Sequence, residues 1–222
     1  MIPVSLSSGV EPGARTGTSV DGLPVVVWRG QDGTVHAWAD RCPHRGMRLS
    51  FGFVRENALT CIYHGWAFGP ADGGDGRCLS VPAHPGMTPP AKATVPALPT
   101  VEALGMIWVG TTPGDTVLPQ DAAVGGEPVH PVRSVTVPVP AAALRAAFEA
   151  APPPGTEIAE TSCDGVLTFK GPADLVIAAI QGRSDGTSSA HVVTVNPGVP
   201  GRKALCAWAA LVRDHLAAVV LP

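Results

Sequence analysis

Two short segments of the chain each pair one cysteine with one histidine. The first contains Cys42 and His44, and the second contains Cys61 and His64. Thiolates and neutral imidazoles are both ligands for iron and zinc. Four such side chains could hold two sulfide-bridged irons, with both cysteines on one iron and both histidines on the other, or one tetrahedral zinc ion. The sequence therefore predicts a metal centre shared by two loops.

The spacing of these residues favours the diiron cluster. Zinc knuckles more often use Cys-x2-Cys and His-x3-His pairs than two mixed pairs. In a cluster, two histidines put less negative charge on their iron than cysteines would, so the added electron settles there and the reduction potential rises. We therefore predict a [2Fe–2S] cluster held by Cys42, His44, Cys61 and His64, with the histidine side as the port for electrons. A zinc-binding module without redox activity is the alternative.

The residues beside the predicted ligands suit tightly folded loops. Gly46 and Gly65 follow the histidines, and a residue without Cβ permits a tight turn and lets backbone N–H groups approach the sulfides. Tyr63 and Trp66 could tune the cluster by packing and by hydrogen bonding to sulfur. Plain core packing is the alternative for Trp66.

Both segments resemble those of a known family. Residues 42–50 (CPHRGMRLS) and 61–66 (CIYHGW) closely resemble the Rieske domain of Rieske non-haem iron oxygenases, more than the soluble Rieske ferredoxins. Rieske proteins of the cytochrome bc type add a second cysteine beside each ligand pair, and neither segment has one. The resemblance implies a Rieske-type cluster and a fold of stacked antiparallel sheets, with the cluster between two loops at one tip.

The second half of the chain departs from the oxygenase pattern. The resemblance implies a catalytic domain whose iron is bound by a carboxylate and by two histidines four or five residues apart. Beyond residue 131 the sequence has only His191 and His215, and His130 just precedes them. We therefore expect an abbreviated relative of the catalytic domain that lacks the iron-binding motif. A terminal oxygenase, with an unrecognised or partner-supplied iron site, is the alternative function.

Short strands are predicted to position these residues. The chain has 26 glycines and 24 prolines, which favour short strands joined by turns over long helices. The predicted fold class is mainly β with an α+β second unit, a small antiparallel sheet with one helix. Apolar and alternating segments predict strands over 23–28, 34–39, 58–62, 106–109, 133–139, 167–170, 175–180, 191–195 and 204–212, and helical composition predicts a helix over 141–150.

Loss of periodicity predicts a domain boundary. Glycine and proline accumulate between Thr111 and Pro131, which is typical of a linker. We expect a Rieske domain over 1–112, a linker over 113–131, and a small α+β domain over 132–222.

Charge and composition exclude several classes of protein. The net charge of -3 and pI near 6.1 leave no basic field for nucleic acid. The apolar stretch from Ala204 to Leu221 contains Arg213, Asp214 and His215, so it is a poor membrane span. The first twelve residues lack the features of a signal peptide, and a cytoplasmic protein is expected.

The remaining cysteines are expected to be structural. The total of five is odd, which argues against a disulfide framework. Cys78, Cys163 and Cys206 are most simply small buried residues.

One-electron transfer in an oxygenase-like redox system is the predicted function. The chain would act as an electron-transfer component, taking electrons from a reductase or ferredoxin and passing them to an acceptor or oxygenase partner. Arg41 and Arg45 flank the first ligand pair and could present positive charge to an acidic donor, with ordinary solvated arginines as the alternative. The resemblance also implies a possible homo-oligomer.

Overall fold

The computed structural model divides the chain into two compact units. The ligand unit comprises Gly9–Thr100 and Val109–Asp115, and the helical unit comprises Met1–Ser8, Val101–Trp108 and Thr116–Pro222. The residues that the structure describes are 1–71, 74–112, 114–115, 118, 127–159, 165–172, 175–195 and 199–220.

Within these ranges the chain is built mainly from short strands. In chain order the strands and helices are β1 (Ile2–Leu6), β2 (Arg15–Val20), β3 (Leu23–Arg29), β4 (Val35–Ala39), β5 (Phe53–Arg55), β6 (Ala58–Thr60), β7 (Ala67–Pro70), β8 (Gly76–Ser80), β9 (Thr94–Val95), β10 (Ala97–Leu98), β11 (Thr100–Ala103), β12 (Met106–Val109), β13 (Val129–Val137), α1 (Ala141–Ala150), β14 (Glu157–Ile158), β15 (Val166–Lys170), β16 (Leu175–Gly182), β17 (Ser188–Val195) and α2 (Val199–Val220). The predicted fold class is confirmed.

Two antiparallel sheets form the ligand unit. Their strand orders are β10-β4-β3-β2 and β5-β6-β7-β8-β9. The central core contains fully buried Trp28, Trp38 and Phe68, and it also includes Cys42 and Cys61. Burial of such large aromatic side chains stabilises the fold, and the predicted ligand cysteines belong to the same buried cluster.

A five-stranded antiparallel sheet and two helices dominate the helical unit. The sheet has the order β13-β17-β16-β15-β14, and a second sheet has the order β1-β12-β11. Trp208 of α2 packs edge-on against Phe148 of α1, with ring centroids 5.0 Å apart, and against Phe169 of β15, at 5.6 Å. The apolar core thus lies between the helices and one face of the large sheet.

The prediction of a strand over 204–212 is wrong, because these residues lie inside α2. Leu205, Trp208, Ala209 and Val212 are buried and recur at the i, i+3, i+4, i+7 spacing of one helix face. Their apolar side chains suggested a strand, but it is on one face of a helix that all four side chains point into the core. The helical unit therefore has two helices within the described residues, and α1 has the predicted bounds.

The end of the predicted linker overlaps the start of β13. Strand β13 begins at Val129, so the last three residues of the predicted linker belong to a strand. Much of that linker, and Cys163, lie outside the described residues. The domain bounds at 112 and 132 stay predictions. In the part of the chain that the structure describes, no helix is long and apolar enough to cross a bilayer.

Candidate metal centre

The first ligand loop, residues 42–47, follows β4 and is closed by backbone hydrogen bonds. The N–H of Cys42 donates to the carbonyl of Met47 at 2.8 Å, and the N–H of Gly46 donates to the carbonyl of Cys42 at 2.9 Å. Gly46 has φ of 75°, a left-handed conformation that costs a residue with a Cβ about 1 kcal/mol or more. The turn therefore requires the glycine that the sequence places there.

The second ligand loop, residues 61–66, repeats this arrangement between β6 and β7. The N–H of Cys61 donates to the carbonyl of Trp66 at 2.9 Å, and the N–H of Gly65 donates to the carbonyl of Cys61 at 3.0 Å. Gly65 has φ of 71°, and a Cβ added to it would lie 3.0 Å from Cγ of Pro82. Both loops thus have the same closed form, with a cysteine at the start of each.

The two cysteine side chains meet in the core of the ligand unit. Cys42 and Cys61 are each 2% exposed and belong to the same buried cluster of the core. Burial, and the adjacent Cys61, raise the pKa of Cys42 to about 11, while the backbone N–H groups of His44 and Arg45 donate to its sulfur and oppose the rise. A bound cation would supply the positive charge that two thiolates need here.

The two histidines, one from each ligand loop, lie side by side. The ring centroids of His44 and His64 are 4.5 Å apart. Desolvation, and the neighbouring His64 and Arg45, lower the pKa of His44, which favours the neutral imidazole that a metal ligand requires. Nδ1 of His44 is buried without a hydrogen-bond partner. An unsatisfied buried nitrogen costs about 1–3 kcal/mol, so this atom is suited to a bond with a metal.

The structure thus places Cys42 with Cys61 in one buried cluster, and His44 beside His64. A [2Fe–2S] cluster with two cysteines on one iron and two histidines on the other needs this donor set. The buried thiols and the unpartnered Nδ1 of His44 fit that group.

An aromatic ring covers each predicted histidine ligand. Trp66 stacks on His44 with centroids 4.4 Å apart and ring planes at 4°. Tyr63 lies against His64 at 3.9 Å and 32°. Both rings thus pack against the predicted histidine ligands, as one part of the prediction for Tyr63 and Trp66 requires; hydrogen bonding to sulfur stays a prediction.

Asp40 supports the first ligand loop, and the sequence analysis missed it. Its side chain is fully buried and accepts hydrogen bonds from the backbone N–H and the hydroxyl of Ser50, both at 2.7 Å. These bonds tie together the two ends of the segment that carries Cys42 and His44. An acidic residue two positions before the first ligand was the available signal.

The histidines of the second half do not converge on one place. His191 is 4% exposed in the middle of β17, where its Nδ1 is 2.8 Å from the hydroxyl of Ser134. His130 lies in β13 and His215 is exposed on α2. Among the described residues, no three His, Cys, Asp or Glu side chains are grouped as ligands of a single ion.

The other two described cysteines have ordinary surroundings. Cys78 is buried in the core of the ligand unit, and burial raises its pKa. Cys206 is half-buried on α2 and its thiol contacts the carbonyl of Val132 at 3.2 Å. Neither side chain contacts the predicted ligands through a hydrogen bond in the structure.

Comparison with known families and sequences gives matches to the first half of the chain. The family model described as the Rieske [2Fe-2S] domain matches residues 1–101. Oxidoreductase NdmD of Pseudomonas putida is 43% identical over 98 residues, which are 43% of this chain and 16% of NdmD. The oxygenase component of dicamba O-demethylase of Stenotrophomonas maltophilia is 38% identical over 108 residues, 49% of this chain and 30% of the relative. These matches span less than a third of either relative.

Solved structures match almost the whole chain in fold. NdmA of Pseudomonas putida CBB5 has a TM-score of 0.71 at 18% identity, over 97% of this chain and 80% of NdmA. Apo dicamba monooxygenase has a TM-score of 0.68 at 17% identity, over 98% of this chain and 85% of the other. The similarity in fold therefore includes the helical unit, most of which lies beyond the residues that the family model matches.

Proposed function

Because residues 1–101 of this chain are a Rieske [2Fe–2S] domain, we propose that it works as a one-electron carrier, with its cluster held by Cys42, His44, Cys61 and His64. When bound, a Rieske cluster takes up and releases one electron. The observation that carries the assignment is that two matching loops each supply one buried cysteine and one histidine, and that Nδ1 of His44 is buried without a hydrogen-bond partner. A zinc module is not favoured, since the matched family is that of the diiron cluster.

The chain's own residues hold the ligands in place and set the direction of transfer. Cys42 and Cys61 are buried, whereas His64 is exposed and His44 is half-exposed. Electrons therefore enter and leave on the histidine side, because the distance between the cluster and a partner protein is shortest there. The stacked rings of Trp66 and Tyr63 keep both imidazoles in a fixed orientation, which limits the structural change that accompanies reduction.

The proposed partners are proteins on both sides of the transfer. A reductase or ferredoxin supplies electrons, and a separate acceptor or an oxygenase partner receives them. We also propose a cytoplasmic location, although two relatives named TIC 55 and chlorophyllide a oxygenase are described as chloroplastic. Assembly into a homo-oligomer is part of the same proposal.

Iron content and spin resonance test the proposed function. The anaerobically reconstituted full chain should contain two irons and two sulfides, and after reduction with dithionite it should give the spin resonance spectrum of a Rieske cluster. A colourless protein with one zinc, or a chain that takes up no iron, would contradict it.

A terminal oxygenase is the second candidate, and the fold of the helical unit favours it. That unit shares its fold with NdmA and dicamba monooxygenase. An oxygenase would need a third, mononuclear iron. Three irons per chain would therefore support this candidate over the carrier, and two would support the carrier.

A further inference from the structure

A groove of about 450 Å³ lies beside the first ligand loop. Gly46 of that loop lines it, and the strand residue Leu23 at its edge is 54% exposed. The groove is therefore open to solvent and reaches the loop that carries His44. Its apolar lining includes Leu23, Pro24, Val25, Pro96 and Leu98.

Two arginines bring positive charge to the same groove. Arg41 and Arg48 both line it. The guanidinium of Arg41 lies over Gly46, where an added Cβ would be 3.5 Å from Nε of the arginine. The side chain of Arg48 is 56% exposed. Both charged groups are thus placed next to the first ligand loop, and solvent reaches them.

The positive charge at the groove is only partly balanced, since Asp40 is the one carboxylate among the described residues that line it. Asp40 also lines the groove, but it accepts two hydrogen bonds from Ser50 at 2.7 Å, while Arg48 is 3.9 Å away. In the part of the chain that the structure describes, the lining contains two arginines and one aspartate, a net charge of about +1, although the whole chain has a net charge of -3. This face of the ligand unit is therefore locally basic.

We propose that the groove docks an acidic protein electron donor, which inserts an apolar side chain flanked by a carboxylate. The inference rests on the proposed function. The apolar lining would take the apolar side chain, and guanidinium groups bind carboxylates through paired hydrogen bonds. A second copy of this chain, with its net negative charge, is disfavoured because the same basic face would be repeated at a symmetric contact. A donor seated here lies against the loop of Cys42 and His44, and one electron passes to the cluster without any bond forming or breaking.

Reduction kinetics of the cluster-loaded full chain test the proposal. The probe is a reduced plant-type ferredoxin, an acidic protein, mixed with the chain at low salt in a stopped-flow instrument. The double variant Arg41→Gln/Arg48→Gln should be reduced about tenfold more slowly or worse, with a weaker dependence on salt, because steering by charge acts mainly on the association rate. The control Arg55→Gln/Arg77→Gln removes the same charge from exposed residues outside the groove and should change the rate less than about threefold.

Two substitutions of Leu23, at the edge of the groove, test whether the donor docks there. Leu23→Glu places a negative charge there and should slow reduction by ferredoxin, whereas Leu23→Lys should not. Leu23 is exposed, so both variants should fold. Photoreduced lumiflavin, which is small and uncharged, should reduce every variant at the wild-type rate and so report an intact cluster.

The outcomes separate this proposal from the proposed function. The docking proposal is overturned if ferredoxin fails to reduce the wild type faster at low salt, or if the groove and control variants behave alike while lumiflavin still reduces the cluster. It is also overturned if the wild type is a dimer that Leu23→Glu dissociates, since the groove would then be a contact between copies. Absence of a reducible cluster would instead contradict the proposed function.

Discussion

The predicted ligands differ in how far solvent reaches them, and this difference determines what each substitution should do. Cys42 is 2% exposed within an apolar core, whereas His64 is exposed at the loop tip. A change at the cysteine end should affect folding and the cluster together. A change at the histidine end should alter the redox properties first.

Replacement of His64 by cysteine should lower the reduction potential and shift the visible spectrum. A thiolate adds negative charge to the iron that receives the electron, so the reduced state is disfavoured. Redox titration followed by visible spectroscopy measures both effects. The control His84→Cys changes an exposed histidine in a turn and should leave both properties unchanged. An unaltered spectrum in His64→Cys would mean that His64 is not a ligand.

Replacement of Cys42 by serine should abolish the cluster and destabilise the ligand unit. Metal binding and ordering of the loop contribute one shared free energy, so the melting temperature should fall along with the iron content. Cys206→Ser, a half-buried cysteine on α2, is the control. Full iron occupancy in Cys42→Ser would contradict the assignment of this ligand.

Residue type and spacing predict the four ligand residues, which stay a prediction, and they identified the two glycines whose positive φ the loops require. A cysteine and a histidine close together in each of two segments are rare without a metal, so the pattern is informative locally. Asp40 was not predicted, because its one sequence signal, a place two positions before Cys42, does not by itself indicate a role. Its role depends on the return of Ser50 to the start of the loop, and that return exists only in the folded chain.

At the level of elements, the ligand loops depend on turns that only glycine adopts readily. Gly33 offers a useful comparison with Gly65, since its φ is 86° and a Cβ added there would meet nothing within 4 Å. Gly65 has a similar φ, but its added Cβ would press on Pro82. The two positions therefore separate backbone strain from steric contact.

Gly65→Ala should therefore cost more stability than Gly33→Ala. The left-handed conformation should cost each variant about 1–2 kcal/mol, and Gly65→Ala should also lose cluster content because its loop must shift away from Pro82. Chemical denaturation and iron analysis of both variants measure the two effects. Equal iron content in the two variants would show that the second ligand loop tolerates the change.

Helix α2 shows why some elements were harder to predict. The bounds of α1 followed from a helical segment that ends before three prolines. In α2, an alanine-rich stretch with valine and tryptophan fits either a strand or a helix when it is read alone. The helix is favoured by tertiary packing, because Trp208 on its buried face packs edge-on against Phe148 and Phe169.

At the level of the whole molecule, the buried His191 makes the stability of the helical unit depend on pH. Burial, assisted by the positive charge of Arg183, lowers the pKa of His191 to about 4 from its ordinary 6.5. Between these two values the unfolded chain binds a proton at this residue and the folded chain does not. The stability that the helical unit gains by keeping His191 neutral is therefore fully present above pH 6.5, and it is lost as the pH falls towards 4.

Acidification from pH 7 to 4 should therefore reduce the free energy of unfolding by up to about 3 kcal/mol through this residue. Urea denaturation at a series of pH values measures the slope. His191→Gln keeps a polar side chain but cannot titrate, so its profile should be flatter than that of the wild type by this amount. Parallel profiles would show that His191 has the same pKa in the folded and the unfolded chain, which would contradict its burial as a neutral group.

The composition of the two units could not be predicted from local sequence. The first eight residues belong to the helical unit, with β1 hydrogen-bonded to β12. The pairing of strands about a hundred residues apart has no signature in the local sequence. A hairpin such as β3–β4, by contrast, is indicated by the glycine in its turn.

This interleaving has a consequence for biosynthesis. During translation β1 leaves the ribosome well before β12, and at about 5–20 residues per second it waits for several seconds without its neighbour. The segment Gly9–Thr100 is nearly the whole of its unit and can fold during that interval. The nascent polypeptide should therefore acquire its electron-carrying half first, while its earliest strand stays exposed to chaperones until the later half has been made.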